Sequence, residues 1–298
     1  MRAKNNKPNF PVFKFIGIED KSIIENITKD FDHYSDFNFV SLMTWNINRS
    51  SKYSIYDGNL ILKLRDYGSK KYVYSILGHN IDDNFLHILK NQEKCTRLDL
   101  VPEVVRHKLR SGYVCEDRDN FDYVYKIDKL FNLEGSEFRK FRRSLNSFNK
   151  DGSLFVEYKY LNTSNELEIK QIVKLCKQWK VIRGRGFSES SNEYYAIKRA
   201  IKYISQLNLS VVCFSINEEL VGFVIFEVIG NYSILHFEKC DTRITGLGYF
   251  IKYQTINILK DLGVKTLNYE QDLGILGLRQ AKISMNPDTY LKKFSIFI

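Results

Sequence analysis

Proline is scarce in this chain, four of 298 residues, which excludes long proline-rich linkers. Long apolar runs are missing too. No stretch approaches the ~18 consecutive apolar residues that a membrane-spanning helix needs, and the opening MRAKNNKPNF lacks the apolar centre of a secretory signal. A cytoplasmic location without an integral membrane segment is the expectation. The five cysteines, Cys95, Cys115, Cys176, Cys213 and Cys240, are odd in number and widely spaced, with no CxxC pair and no histidine at ligand spacing. That pattern argues against a disulfide framework and offers no metal constellation, so the thiols read as reduced and mostly buried.

What the chain does have is length and aromatic bulk. A chain of 298 residues exceeds one ordinary core, so two domains are expected. Apolar residues make up 44% and charged residues 27%, the balance of a folded globular protein, and 19 Tyr with 21 Phe must fill much of its interior. The net charge of +10 suits a polyanionic partner such as RNA, a nucleotide or an anionic membrane surface, and equally suits plain solubility.

Periodicity lays out the elements. Ile23, Ile24, Ile27 and Phe31 share one helical face, and a second short helix runs through Phe39, Leu42, Met43 and Trp45. Strands at 53–56 and 60–64 flank Asp57-Gly58, a hairpin turn whose residues accept positive φ cheaply. A strand at 72–77, a helix at 85–89, a strand at 98–101, a helix opened by Pro102 and a strand at 121–127 follow. Residues 136–150 form a basic helix with Phe138, Phe141, Leu145 and Phe148 on one face. Beyond it come a strand at 154–161, helices through Leu167–Trp179 and Tyr194–Ile204 separated by a mobile loop VIRGRGFSES, and strands at 210–216, 220–229 and 232–240. A helix at 249–262 ends at Gly263, and a strand at 266–270, a helix at 276–283 and a strand near Phe294 complete the order.

The two halves share an order of elements, and that order resembles the GNAT acyltransferase fold. The expectation is an α/β chain, α+β by some schemes, of two tandem GNAT-like domains with mixed sheets flanked by helices. Residues 1–133 form a degenerate first domain, 134–150 a basic connecting helix, and 151–298 a second domain bearing the active site.

Candidate chemistry concentrates in that second domain. Arg243-Ile244-Thr245-Gly246-Leu247-Gly248 leads from a strand into a helix and resembles the R/Q-x-x-G-x-G/A phosphate loop of GNAT enzymes. Glycines let backbone approach an anion, and the amides at a helix start point at it, so Arg243, Gly246 and Gly248 are donor-binding candidates; a purely structural turn is the competing reading. The counterpart in the first half, Gly78-His79-Asn80-Ile81-Asp82, has no such pattern. Strand alternation puts His236, Glu238 and Cys240 on one face, with Lys239 on the other. Glu238, then Asp241, can take the proton from an attacking amine, and Tyr249 can protonate a leaving group. A solvated or buried Glu238–Lys239 pair and a satisfied core His236 are the structural alternatives.

In the segment from Asn268 to Lys282, Glu270 and Asp272 would share a face of the strand and suit a substrate ammonium, while Arg279 and Lys282 share a helix face that can hold phosphate. The same groups can instead form a structural salt-bridge network. Arg139, Lys140, Arg142 and Arg143 place four cations in five positions beside Phe138 and Phe141, fitting nucleic acid or a solvated face.

N-x-E-x-D-L-G-x-x-G-L-R-x-x-K at 268–282, HFEK at 236–239, YSDFNF at 34–39 with Trp45, FDYVY at 121–125, and Leu133, Gly135, Phe138, Arg139 and Arg143 resemble bacterial proteins related to the C-terminal domain of phosphatidylglycerol lysyltransferases. The resemblance spans nearly the whole chain. It implies a tandem GNAT-like fold and, for characterised members, transfer of an aminoacyl group from tRNA to a lipid head-group hydroxyl. On that basis aminoacyl-tRNA is the expected co-substrate, with no tightly bound cofactor. The acceptor, a small molecule, a peptide or a lipid head group, stays open, since the chain is expected to be without the membrane half of the lipid-modifying enzymes. His236, Lys239 and Asn268 join Glu270 and Asp272 as substrate-binding candidates. An acyl-CoA-dependent GNAT N-acyltransferase and a non-catalytic ligand- or RNA-binding module are the alternatives.

Overall fold

The computed structural model describes residues 7–65, 72–110, 112–150, 155–162, 165–183 and 187–298. It divides into two compact units. Unit 1 comprises Met1–Asp122 together with Leu291–Ile298, and unit 2 is Tyr123–Tyr290.

Unit 1 is built on a mixed sheet of β1 (Lys14–Phe15), β2 (Lys52–Tyr56), β3 (Asn59–Arg65), β4 (Tyr72–Leu77), β5 (Arg97–Pro102) and β6 (Tyr113–Glu116), into which a strand from the far end of the sequence inserts. That strand lies between β5 and β6, antiparallel to both. Asp57 and Gly58 take φ of 47° and 76° and close the β2–β3 hairpin as their residue types allow. Helices α1 (Lys21–Thr28), α2 (Phe39–Thr44), α3 (Asp83–Glu93) and α4 (Glu103–Arg106) complete the unit. Asn38 and Asp82 cap α2 and α3 by accepting from the amides of Ser41 and Phe85.

Unit 2 holds the second mixed sheet. Its strands are β7 (Asp122–Lys126), β8 (Glu157–Tyr160), β9 (Leu209–Ile216), β10 (Glu219–Ile229), β11 (Tyr232–Cys240), β12 (Thr266–Asn268) and β13 (Thr289–Leu291), ordered β13-β7-β12-β11-β10-β9-β8. The inserted strand of unit 1 is β14 (Lys293–Phe297). Helices α5 (Ile127–Asn132), α6 (Arg139–Lys150), α7 (Glu166–Arg183), α8 (Phe187–Lys202), α9 (Ile204–Leu207), α10 (Leu247–Asp261) and α11 (Leu276–Ile283) belong to unit 2. One face of the sheet is sealed by a core in which Phe138, just before α6, Phe141, Leu145 and Phe148 of α6 and Leu247, Ile251 and Leu259 of α10 meet Phe214, Val224, Phe226 and Leu235. The apolar stripe read for the basic helix is therefore its buried side.

The α/β class with two mixed sheets flanked by helices holds, and the expected boundaries move. β7, placed in the first domain by sequence order, pairs antiparallel with β12 in unit 2, and β14, placed in the second domain, completes the sheet of unit 1. Residues 134–150 are not a separate connector, because α6 packs in the core of unit 2. Pairing partners are chosen across the sheet, so position along the chain does not reveal such an exchange. Edge strand β6 was absent from the expected order. Helix α7 reaches Arg183 and α8 starts at Phe187, so most of the expected loop at 181–190 is helical; residues 184–186 of that expectation lie outside the described residues.

Candidate active site

β11 and β12 run parallel and pair at Tyr232↔Thr266, Ser233↔Leu267 and Ile234↔Asn268. There β12 stops while β11 continues to Cys240, so from Leu235 onward no strand pairs with that edge of β11 among the described residues. A gap opens in the middle of the sheet at this point. On the opposite edge β11 is bulged: Ile225 pairs with Phe237 and the next residue, Phe226, with Leu235, leaving His236 as the extra residue.

The bulge decides which side chains meet. Leu235 lies in the core beneath α10, and Glu238 also faces α10, because its Oε1 accepts from Lys252 Nζ of that helix. The Tyr269 hydroxyl donates to Glu238 Oε2, spanning the gap from the segment just after β12. Burial and the neighbouring Glu238 carboxylate push the Tyr269 phenol well above its ordinary range. A carboxylate has about four acceptor positions, so these two donors leave Glu238 capacity for a further proton or hydrogen bond.

His236 points to the other face, contrary to simple alternation. Its Nδ1 lies 2.8 Å from Glu270 Oε1 and its Nε2 3.2 Å from Glu227 Oε1. Burial alone would depress the imidazole, but the two carboxylates outweigh it and raise it to about 9, so it is a cation at neutral pH. Lys239 is paired with Glu193 of α8 at 2.6 Å.

Glu270 does not sit in a strand, and its expected pairing with Asp272 on one strand face is lost. Its φ is +55°, uncommon for a residue other than glycine. Each of its polar groups is held: the amide donates to Asn268 Oδ1 at 2.7 Å, the carbonyl accepts from Lys282 Nζ at 3.1 Å and from the Tyr123 amide at 3.2 Å, and the carboxylate faces His236. Such over-determination sustains a strained conformation.

Asp272 and its partners form the brace of this loop. The carboxylate, fully buried, accepts from Arg279 Nε and Nη2 at 2.9 and 2.8 Å, from Tyr123 Oη at 2.5 Å and from the Gly274 amide at 2.8 Å. Burial pushes its pKa up, yet Arg279, Tyr123 and the amide outweigh that and hold it below the usual carboxylate range. Lys282 is also buried, its Nζ donating to the carbonyls of Tyr269, Glu270 and Gln271 at 2.5, 3.1 and 2.7 Å. Arg279 and Lys282 thus point into the loop rather than toward an external phosphate.

The segment before α10 is a tight turn. Asp241 accepts from Arg243 Nε at 2.9 Å, Nη2 at 2.6 Å and the Arg243 amide at 3.0 Å, and the Arg243 side chain holds Asp241 below its ordinary range. Gly246 has φ +85°, and a Cβ there would stand 3.0 Å from Phe148 Cβ and 3.3 Å from the Ser144 carbonyl of α6. Gly248 is roomier, its nearest neighbour being Cys240 Sγ at 3.5 Å. The amides of Ile244, Leu247 and Tyr249 turn to local carbonyls, and those of Thr245, Gly246 and Gly248 have no acceptor among the described residues. Tyr249 packs edge-on against Phe141 at 5.1 Å, and the tyrosine that reaches Glu238 is Tyr269 instead. On α6, Arg139, Lys140 and Arg143 are exposed, while Arg142 caps α5, its Nη1 donating to the carbonyls of Leu133 and of Gly135, the latter at 2.8 Å.

Sequence reasoning passed over Tyr123, Glu227, Lys252 and Tyr269. Glu227 carried a signal, a carboxylate in the otherwise apolar run LVGFVIFEVI. Tyr123 and Tyr269 carried none, since tyrosine is abundant and only the fold brings these two to carboxylates.

The comparisons agree with this architecture. The chain is similar in structure to a conserved protein of unknown function from Bacteroides thetaiotaomicron, at 26% identity and TM-score 0.82 over 96% of this chain and 99% of that one. It is also similar to the C-terminal domain of a putative lysylphosphatidylglycerol synthetase from Agrobacterium fabrum (12% identity, TM-score 0.63, 94% and 91% covered). L-PGS from Bacillus licheniformis gives 13% identity and TM-score 0.62, with 93% and 91% covered; at such identities the last two establish the fold alone. Among curated proteins none matches in sequence. The family model for the C-terminal region of phosphatidylglycerol lysyltransferase matches residues 28–297, which is nearly the whole chain, and the protein therefore belongs to that family.

Proposed function

We propose that this chain is an aminoacyl transferase moving an aminoacyl group from aminoacyl-tRNA to an amine or hydroxyl acceptor, with the reacting ester at the free edge of β11. The observation that carries the reading is that gap: past Ile234↔Asn268 no strand pairs with this edge of β11 among the described residues, and beside it lie Glu238, Tyr269 and Lys252 on one face and His236, Glu227 and Glu270 on the other. Family membership supports the class of reaction.

In this scheme the acceptor oxygen or nitrogen attacks the ester carbonyl carbon while Glu238 takes its proton. The bond from that carbon to the ribose oxygen then breaks, and the proton passes to the departing ribose hydroxyl, so the transfer is balanced without a redox partner. The backbone amides of Gly246 and Gly248 are the donors to the oxyanion. Glu238 is preferred to Asp241 as base, because Arg243 occupies the Asp241 oxygens with three donors and lowers its pKa, which makes it a weaker proton acceptor. Glu270 and Glu227 suit the ammonium of the aminoacyl group, whereas Asp272, Arg279 and Lys282 serve by bracing the loop that presents Glu270. Arg139, Lys140 and Arg143 offer the tRNA a basic surface, and charge reversal there should weaken tRNA binding, which should also fall steeply with salt.

The test is a transfer assay with labelled aminoacyl-tRNAs and with acetyl-CoA, each offered phosphatidylglycerol vesicles and an amine-bearing peptide. Label leaving tRNA for an acceptor, and slowed on the order of 100-fold or more by Glu238→Gln, is the expected result. Transfer from acetyl-CoA alone, or no transfer with either donor, overturns it.

A further inference from the structure

Unit 1 carries an unusual arrangement on one face of its sheet, well apart in the chain from the residues assigned above. Phe15 of β1, Lys52 of β2, Lys63 of β3 and Tyr74 of β4 are successive cross-strand partners, so they form one row across four neighbouring strands. Tyr72 lies two residues before Tyr74 and thus on the same face. The row alternates rings and cations in contact. Lys52 Nζ is 4.4 Å from the Phe15 ring centroid and 5.9 Å from that of Tyr72; Lys63 Nζ is 5.3 Å from Tyr72 and 5.0 Å from Tyr74.

Half of this row is explained by folding. Tyr74 is buried, and both its hydroxyl and Lys63 Nζ donate to Glu93 of α3 at 2.5 Å. The other half is not. Phe15 is 52% exposed and Tyr72 41% exposed, and Lys52 has no carboxylate partner among the described residues. Two aromatic rings standing in water around an unneutralised ammonium gain little for stability, yet they have the composition of a platform for unstacked bases.

We propose that this face of unit 1, centred on Phe15, Lys52 and Tyr72, binds single-stranded RNA, with bases stacking on the two rings and a phosphate meeting Lys52. Strands ~4.8 Å apart give a flat, pleated surface, which matches a row of bases better than the protruding loops or amphipathic helices that enter lipid. The chain's net charge of +10 suits a polyanionic partner of this kind. The proposal goes beyond the transferase reading, since it asks only for RNA binding.

The experiment measures binding of a fluorescein-labelled 12-nucleotide single-stranded RNA to the full chain at low salt, with a duplex of the same sequence and phosphatidylglycerol vesicles as comparisons. The single strand should bind more tightly than the duplex. Phe15→Ala and Tyr72→Ala should each weaken binding on the order of tenfold, with Tyr72→Phe retaining it, and Lys52→Gln should flatten the salt dependence. The rings are exposed, so melting temperatures should stay at the wild-type value and exclude misfolding as the cause. No single-strand binding, equal binding by the alanine variants, or binding to vesicles alone overturns the proposal. Because the probe carries no aminoacyl group and no transfer is required, failure of the transferase reading leaves this result standing, and the converse also holds.

Discussion

Asp272 is fully enclosed and meets its donors from three directions, the Arg279 guanidinium, the Tyr123 hydroxyl and the Gly274 amide. Neutralising it as Asp272→Asn strands part of a charged donor set beside an amide, and should cost about 3 kcal/mol, measured by urea unfolding. His236 makes the opposite kind of prediction, one in pH. Its folded pKa of about 9 lies above the ordinary value of 6.5, so the stabilisation is fully present below about pH 6.5 and is lost as pH rises through about 9. The difference in unfolding free energy between wild type and His236→Gln should therefore shrink across that window, and a constant difference from pH 6 to pH 10 would contradict the ion cluster. The alternation rule assigned His236 and Glu238 to one face, and one bulged residue separated them. No residue type in HFEK announces that bulge.

Among the elements, the turn into α10 separates two glycines that the sequence motif treats alike. Gly246 combines φ +85° with the close approach of α6, so Gly246→Ala should destabilise by about 1–3 kcal/mol. Gly248 lies within α10, and an added Cβ meets ordinary contact distance at Cys240 Sγ, so Gly248→Ala should be neutral or stabilising in a thermal melt. Gly246 variants consequently report on folding, and any loss of activity in a folded Gly248 variant reports on the anion turn. The helices α1, α6, α10 and α11 and the β2–β3 hairpin were legible because each has a strong local period or turn signature. The end of β12 was not. N-Y-E-Q-D reads as a continuing strand, whereas Glu270 turns out of it at positive φ, stabilised by Asn268, Lys282 and His236 from elsewhere in unit 2.

At the scale of the whole molecule, unit 1 is discontinuous, and its last strand is fastened by a buried charge cluster. Lys293 Nζ meets Asp122 Oδ1 at 2.8 Å, Asp36, and Ser35 Oγ at 3.1 Å, all without solvent access at the lysine. Burial works against its charge, but Asp122 and Asp36 outweigh burial and raise its pKa. Lys293→Met should lower stability by about 3–5 kcal/mol, because it leaves two carboxylates facing each other without a cation. A chain ending at Tyr290 should lack a cooperative unfolding transition for unit 1, as read by hydrogen exchange, since β5 and β6 lose the strand between them.

By itself the amino-acid sequence determined the class of fold, most of the elements and the family, because these depend on local periodicity, turn chemistry and a nearly contiguous motif at 268–282. The tertiary structure alone decided which sheet β7 and β14 join, which face His236 takes, and that Asp272, Arg279 and Lys282 turn their charges to one another and to backbone within the loop. Those outcomes depend on strand pairing and on the partners available to a buried charge. Both are set by residues far apart in the chain.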